Sequence, residues 1–104
     1  MVKLKLYSVY RSWRGGFCLH EIEVTEKPKT YIVTEKDRKY TRCYSRLRKE
    51  NIGHAFEGNY CVGFTPKEAI EGMRKYWTGE LDILEQRVDE ITENLRNLEA
   101  LNDD

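Results

Sequence analysis

The sequence predicts an α+β protein: an antiparallel β-sheet laid down as an N-terminal meander of about four or five strands, then a capped helix, then a heptad-patterned C-terminal helix. Three observations carry this expectation. Apolar and polar residues alternate through most of the chain up to Phe64, the apolar spacing switches to three and four beyond Thr65-Pro66, and the charge reverses along the way. Residues 1–52 hold 13 Lys/Arg against 6 Asp/Glu and residues 53–104 hold 5 against 12, so a net charge of zero conceals halves of +7 and −7. A chain of 104 residues builds a single core. One domain, 1–104, is therefore expected, made of a basic β region (1–64), a first helix (65–78) and an acidic coiled-coil-like helix (80–101).

Val2, Leu4, Leu6 and Tyr10 alternate with Lys3, Lys5, Tyr7 and Arg11, the period of a half-buried strand. Arg14-Gly15-Gly16 turns the chain, because paired glycines reach positive φ without steric cost. Phe17 to Thr25 returns as a second strand with Cys18, His20, Ile22 and Val24 on one face. Lys27-Pro28-Lys29 ends it, Tyr31-Ile32-Val33-Thr34 reads as a third strand, and Glu35-Lys36-Asp37-Arg38 reads as a polar turn. From Lys39 to Asn51 the alternation suits a strand with a cationic, aromatic face, while residues 45–50 suit a short helical turn equally well. Glu57-Gly58-Asn59 is a further turn signal, followed by Tyr60, Val62 and Phe64 at strand spacing.

Thr65-Pro66-Lys67-Glu68 is a helix start. Thr65 can accept from an early amide, Glu68 can reach back, and Pro66 occupies the first helical position, where no donor is needed. Ile70, Met73 and Trp77 fall on one face, and Thr78-Gly79 is expected to bend or end this helix, since glycine costs about 1 kcal/mol relative to alanine in a helix interior. Leu81, Leu84, Val88, Ile91, Leu95 and Leu98 then repeat at three and four without a break, flanked by Glu85, Asp89, Glu90, Glu93 and Glu99. So narrow a seam suits helix pairing, and a homo-oligomer, a dimer or dimer-based, is expected. A hairpin against residues 66–78 is the competing arrangement. A parallel pair would set Glu80 against Glu85, so antiparallel and multi-helix arrangements stay open.

Reactive templates are incomplete. Cys18 and His20 share a face, but no second close pair of ligands accompanies them, and no metal or cofactor is expected. Cys18, Cys43 and Cys61 read as small core residues. A weak enzymatic reading would use Cys18, His20 or His54, yet no third group is in place to orient them. The expectation is a protein without catalytic activity. The odd cysteine count without CxxC spacing points to a reducing compartment. The alternating MVKLKLYSVY lacks the apolar stretch of a signal peptide, and no run approaches the ~18–20 apolar residues of a membrane helix. A cytoplasmic protein without a membrane partner is expected.

The positive half concentrates arginines beside rings. Arg11, Trp13 and Arg14 form one cluster and Tyr44, Arg46 and Arg48 another, a combination that pairs phosphates and stacks bases. In this reading Arg46 and Arg48 hold phosphate, Tyr44 or Trp13 stacks a base or ribose, and Arg11 and Arg14 close the pocket from a neighbouring subunit. The same residues would serve an acidic protein surface, and the plain alternative is rings packing the core while cations keep the sheet soluble. Broad binding to duplex nucleic acid is disfavoured, because the acidic helix would repel the backbone. A small nucleotide-like anion avoids that conflict.

The YSVYRSWRGGF hairpin, the FTPKEAIEGM helix start and the acidic EQRVDEITENLRNLEAL tail resemble small proteins encoded by phages and prophages, and in layout the anti-Thoeris nucleotide sponges. That resemblance implies an oligomer of antiparallel sheet and C-terminal helices. It would sequester a cyclic ADP-ribose-type immune signal without hydrolysing it, in the cytoplasm of an infected or lysogenic bacterial host. No individual site residue is carried over. A small inhibitor that binds a host nuclease or defence complex directly, in the manner of anti-CRISPR proteins, is the alternative.

Overall fold

A computed structural model describes residues 2–101 as a six-stranded antiparallel sheet and one long helix. The strands are β1 (Lys3–Arg11), β2 (Phe17–Glu26), β3 (Thr30–Val33), β4 (Arg46–Arg48), β5 (Ala55–Phe56) and β6 (Tyr60–Gly63), and the helix α1 is Pro66–Leu101. Their order across the sheet is β4-β3-β2-β1-β6-β5. The expected antiparallel sheet is present. It is wider than a four- or five-strand meander, because the chain leaves β4 and returns to the far side of β1.

The β1–β2 hairpin is the spine, in register from Lys3↔Thr25 to Arg11↔Phe17. Its turn needs both glycines, since Gly15 and Gly16 stand at φ +92 and +76. Residues opposite one another share a face, so Leu6, Ile22, Val24, Val33, Leu47, Tyr60 and Val62 form one buried cluster on the inner face. Leu47 comes from one edge of the sheet and Tyr60 from near the other, so the sheet curls to bring its two ends together. Tyr40 and Ile52, from the 34–52 connection, pack onto this cluster. On the outer face, Val9, Cys61 and Ala55 lie beneath Ala69 and Met73 of α1.

The polar turn expected at residues 35–38 is present, and the strand expected over residues 39–51 needs correction. Glu35–Thr41 forms a 3₁₀ turn, pinned to β2 by the Asp37 carboxylate, which accepts from the Glu23 N–H at 2.8 Å. Only Arg46–Arg48 is strand, followed by a 3₁₀ turn over Lys49–Asn51. The period-two pattern from Tyr40 fails because Arg42 and Cys43 take left-handed φ of 56° and 67°, which no strand allows. Among the cysteines only Cys61 is buried, and Cys18 and Cys43 are exposed.

α1 begins as expected, with the Glu68 N–H donating to Thr65 Oγ1 at 3.1 Å. It does not end at Thr78-Gly79. The helix runs unbroken through Gly79 for 36 residues, so the first helix (65–78) and the acidic helix (80–101) are one element. The glycine penalty of about 1 kcal/mol is too small to stop a helix with good formers on both sides. The first three turns lie on the sheet, close enough that a methyl on Gly63 would stand 2.6 Å from the Ala69 amide nitrogen. Beyond them the helix projects from the body, and the molecule measures 76 × 30 × 22 Å. No helix among the described residues is long and apolar enough to cross a membrane.

Candidate functional site

Where the sheet curls closed, β4 and β5 face one another across a groove of about 190 Å³. Leu47, Ile52 and Val62 contribute apolar lining, with Tyr44, Phe56 and Tyr60 as an aromatic wall and Arg46, Arg48, Asn51 and His54 supplying polar groups. The rings touch in sequence. Phe56 and Tyr60 stack at 5.4 Å between centroids, and Tyr44 meets Phe56 edge-on at 5.3 Å.

Local chain geometry explains how these residues meet. Glu57 and Gly58 both take positive φ (50° and 75°), a tight turn that sets Phe56 directly opposite Tyr60. The turn is pressed against α1, since a methyl on Gly58 would come within 2.6 Å of the Tyr76 ring. On the opposite wall, the left-handed pair Arg42-Cys43 reverses the chain ahead of Tyr44. Arg42 Nη2 donates to Asn59 Oδ1 at 2.6 Å, tying that reversal to the β5–β6 turn. Both walls are thus tied at the same end.

The rim of the groove is cationic and its wall aromatic. Arg46 makes no ion pair among the described residues, and Arg48 has only an exposed contact with Glu50 at 3.5 Å, which is worth little in water. Burial, with the neighbouring Tyr44 as a smaller cause, raises the Tyr60 phenol above its ordinary value, so it stays protonated at neutral pH. Tyr44 and Phe56 are partly exposed, at 49% and 38%, and offer ring surface to a ligand.

The sequence-predicted residues fall into two places. Tyr44, Arg46 and Arg48 line the groove together. Arg11, Trp13 and Arg14 lie at the far end of the β1–β2 hairpin and do not line it. Arg11 sits 5.4 Å over the Trp77 ring of α1, and Arg14 lies 4.7 Å over Trp13, which is 87% exposed. Leu81, Leu84, Val88, Ile91, Leu95 and Leu98 are all exposed along the projecting helix. His20 stacks on Tyr40 at 4.0 Å, and among the described residues no group of three His, Cys, Asp or Glu residues converges as metal ligands would. His54 does reach the groove. Phe56, Tyr60, Asn51 and His54 lie outside the ligand set that the sequence predicts, although a turn at Glu57-Gly58 already implies that Phe56 and Tyr60 pair. Compared with protein-family models, curated proteins and solved structures, the chain matches none.

Proposed function

We propose that this chain binds a small anion carrying a flat ring, of nucleotide type, in the groove between β4 and β5, and holds it without chemical change. The observation that carries the reading is the aromatic wall of Tyr44, Phe56 and Tyr60 in one groove whose rim carries Arg46 and Arg48, the exposed residues on either side of the inward Leu47. Arg46 and Arg48 pair the phosphate, where a planar guanidinium gives bidentate contacts. Tyr44 and Phe56 stack the ring, and the Tyr60 hydroxyl is available as a donor. At about 190 Å³ the groove is below the usual ~300–1,000 Å³ of small-molecule pockets. One protomer therefore encloses a single base or ribose phosphate and leaves the rest of a larger nucleotide outside. Under the likeness in layout to nucleotide sponges, the ligand is a cyclic nucleotide immune signal and the protein a phage-type counter-defence factor.

The test is thermal denaturation with AMP, ADP-ribose, cyclic ADP-ribose isomers and cyclic dinucleotides. A true ligand at a hundredfold excess over its Kd adds about 2.7 kcal/mol to the folded state. It should return unaltered in mass after denaturation, and Arg46→Glu with Arg48→Glu should remove the Tm rise while leaving the fold intact. No rise across the panel would overturn the proposal. The exposure of Trp13 beneath Arg14 favours a second reading, an inhibitor docking through the hairpin onto an acidic protein surface. In that case Trp13→Ala would abolish association with the partner, and Tyr44→Ala would not.

A further inference from the structure

α1 carries an apolar stripe that the described chain leaves bare from Leu81 outward and covers only in part at Ile70 and Trp77. Ile70, Trp77, Leu84, Ile91 and Leu98 stand seven residues apart, with Leu81, Val88 and Leu95 between them, and all are exposed. At its base the stripe borders the side that meets the sheet, since Met73 shares a face with Ile70 and Trp77 and is itself buried with Ala69. At the base of the helix it continues onto the sheet. Phe17 and Leu19 of β2 are exposed on the outer face, and with Val9, Ile70 and Trp77 they line an apolar groove of about 400 Å³.

We infer that a second copy of this chain covers the stripe as an antiparallel dimer. Leu81 lies against Leu84 of the second copy, Val88 against Trp77, and Leu95 against Ile70, beside Phe17 and Leu19. The charges select this register. A parallel pair sets Glu80 against Glu85 of the other helix, a like-charge contact on both sides. An antiparallel pair brings flanking residues of the same kind together. Moving it one heptad outward, with Leu81 against Ile91, sets Glu85 on Glu85 and Arg87 on Arg87. Two heptads outward, with Leu81 against Leu98, leaves Ile70, Trp77, Phe17 and Leu19 bare. The register proposed sets Glu80 against Arg87, twice by symmetry, and covers the whole stripe.

The two seam positions that are not apolar, Arg74 and Lys67, lay their aliphatic stems against Ile91 and Leu98. The acidic outer half, with Asp89, Glu90 and Glu93, then lies over the base of the other copy, where Lys67, Arg74 and Lys75 outnumber Glu68 and Glu71 by one. Opposed helix dipoles favour the same arrangement. The covered surface is on the outer face of the sheet and the nucleotide groove is on the inner face, so the dimer does not depend on the ligand reading.

Spin labels at Asn97→Cys, in the full chain with Cys18→Ser and Cys43→Ser, read the register directly. At 1.5 Å per residue the proposed dimer separates the labels by about 45 Å. The two outward antiparallel registers give roughly 35 and 25 Å and a parallel pair roughly 15 Å, and any of these would overturn it. Light scattering gives an independent readout. Glu80→Lys should weaken the dimer about tenfold, and adding Arg87→Glu should restore it. A parallel pair predicts that Glu80→Lys strengthens association. A monomeric mass at every concentration, with the helix intact by circular dichroism, would show that the second copy is not the occupant.

Discussion

The two halves of α1 have similar helical character and opposite surroundings. In the first half, Ala69 and Met73 are buried on Val9 and Cys61, and the helix backbone approaches the sheet closely enough to exclude a methyl group. In the second half, Leu84 is 60% exposed, whereas Ile22 in the sheet is fully buried. One helix thus serves as a wall of the body over its first turns and as an unpartnered arm over the rest. The lesson is that an apolar face does not identify its own cover. The same three-four spacing meets a sheet where one is beneath it and finds no cover within its own chain where none is.

Equivalent substitutions in the two halves should separate them. The largest effect is expected at Gly72→Ala. A methyl there would lie 2.5 Å from Cys61 Sγ and would also collide with the Gly53 carbonyl oxygen. Alanine is ordinarily the better helix former, yet this change should cost about 2–3 kcal/mol in chemical denaturation, because overpacking outweighs propensity. A stabilised Gly72→Ala protein would show that the helix is not seated as described.

Next in size is the pH response of the body. The Cys61 thiol is pushed up to about 11 from 9.0, first by burial and then by the Glu68 carboxylate. The folded state holds this proton more tightly than the unfolded chain. Its contribution, of the order of 2 kcal/mol, is therefore present below pH 9 and lost as pH rises toward 11. Cys61→Ala should flatten the denaturation profile across that window. Alkylation of the native protein at pH 8 should modify the exposed Cys18 and Cys43 and spare Cys61.

The smallest effect belongs to the arm and has the opposite sign. Nothing lies within 4 Å of the methyl that Gly79→Ala would add. Helix propensity then acts alone, and the change should stabilise by about 0.5–1 kcal/mol. Equal signs at Gly72 and Gly79 would erase the distinction between wall and arm.

Parts of this were legible from local chemistry. β1 and β2 follow from the alternation through Leu4, Leu6, Ile22 and Val24, and the helix start follows from Thr65 and Pro66. The 39–51 segment was not legible in the same way. Tyr40 to Arg48 has the polar-apolar rhythm of a strand, but Arg42 and Cys43 adopt a backbone that neither residue favours, held by the Cys43 N–H donating to the Arg38 carbonyl at 2.8 Å. The candidate site was half visible. Tyr44, Arg46 and Arg48 are close in sequence and stayed close in space, whereas Phe56 and Tyr60 join them only because the sheet curls.

Local sequence pattern is enough for the antiparallel character of the sheet, the point at which strand gives way to helix, and the seam from Leu81 to Leu98. These depend on periodicity, turn residues and capping, which act over a few neighbouring positions. Long-range packing places β6 beside β1 and holds the Trp13 and Tyr44 clusters apart. Such outcomes depend on which distant surfaces meet, because close packing and closure of the sheet are set by contacts between residues far apart in the chain.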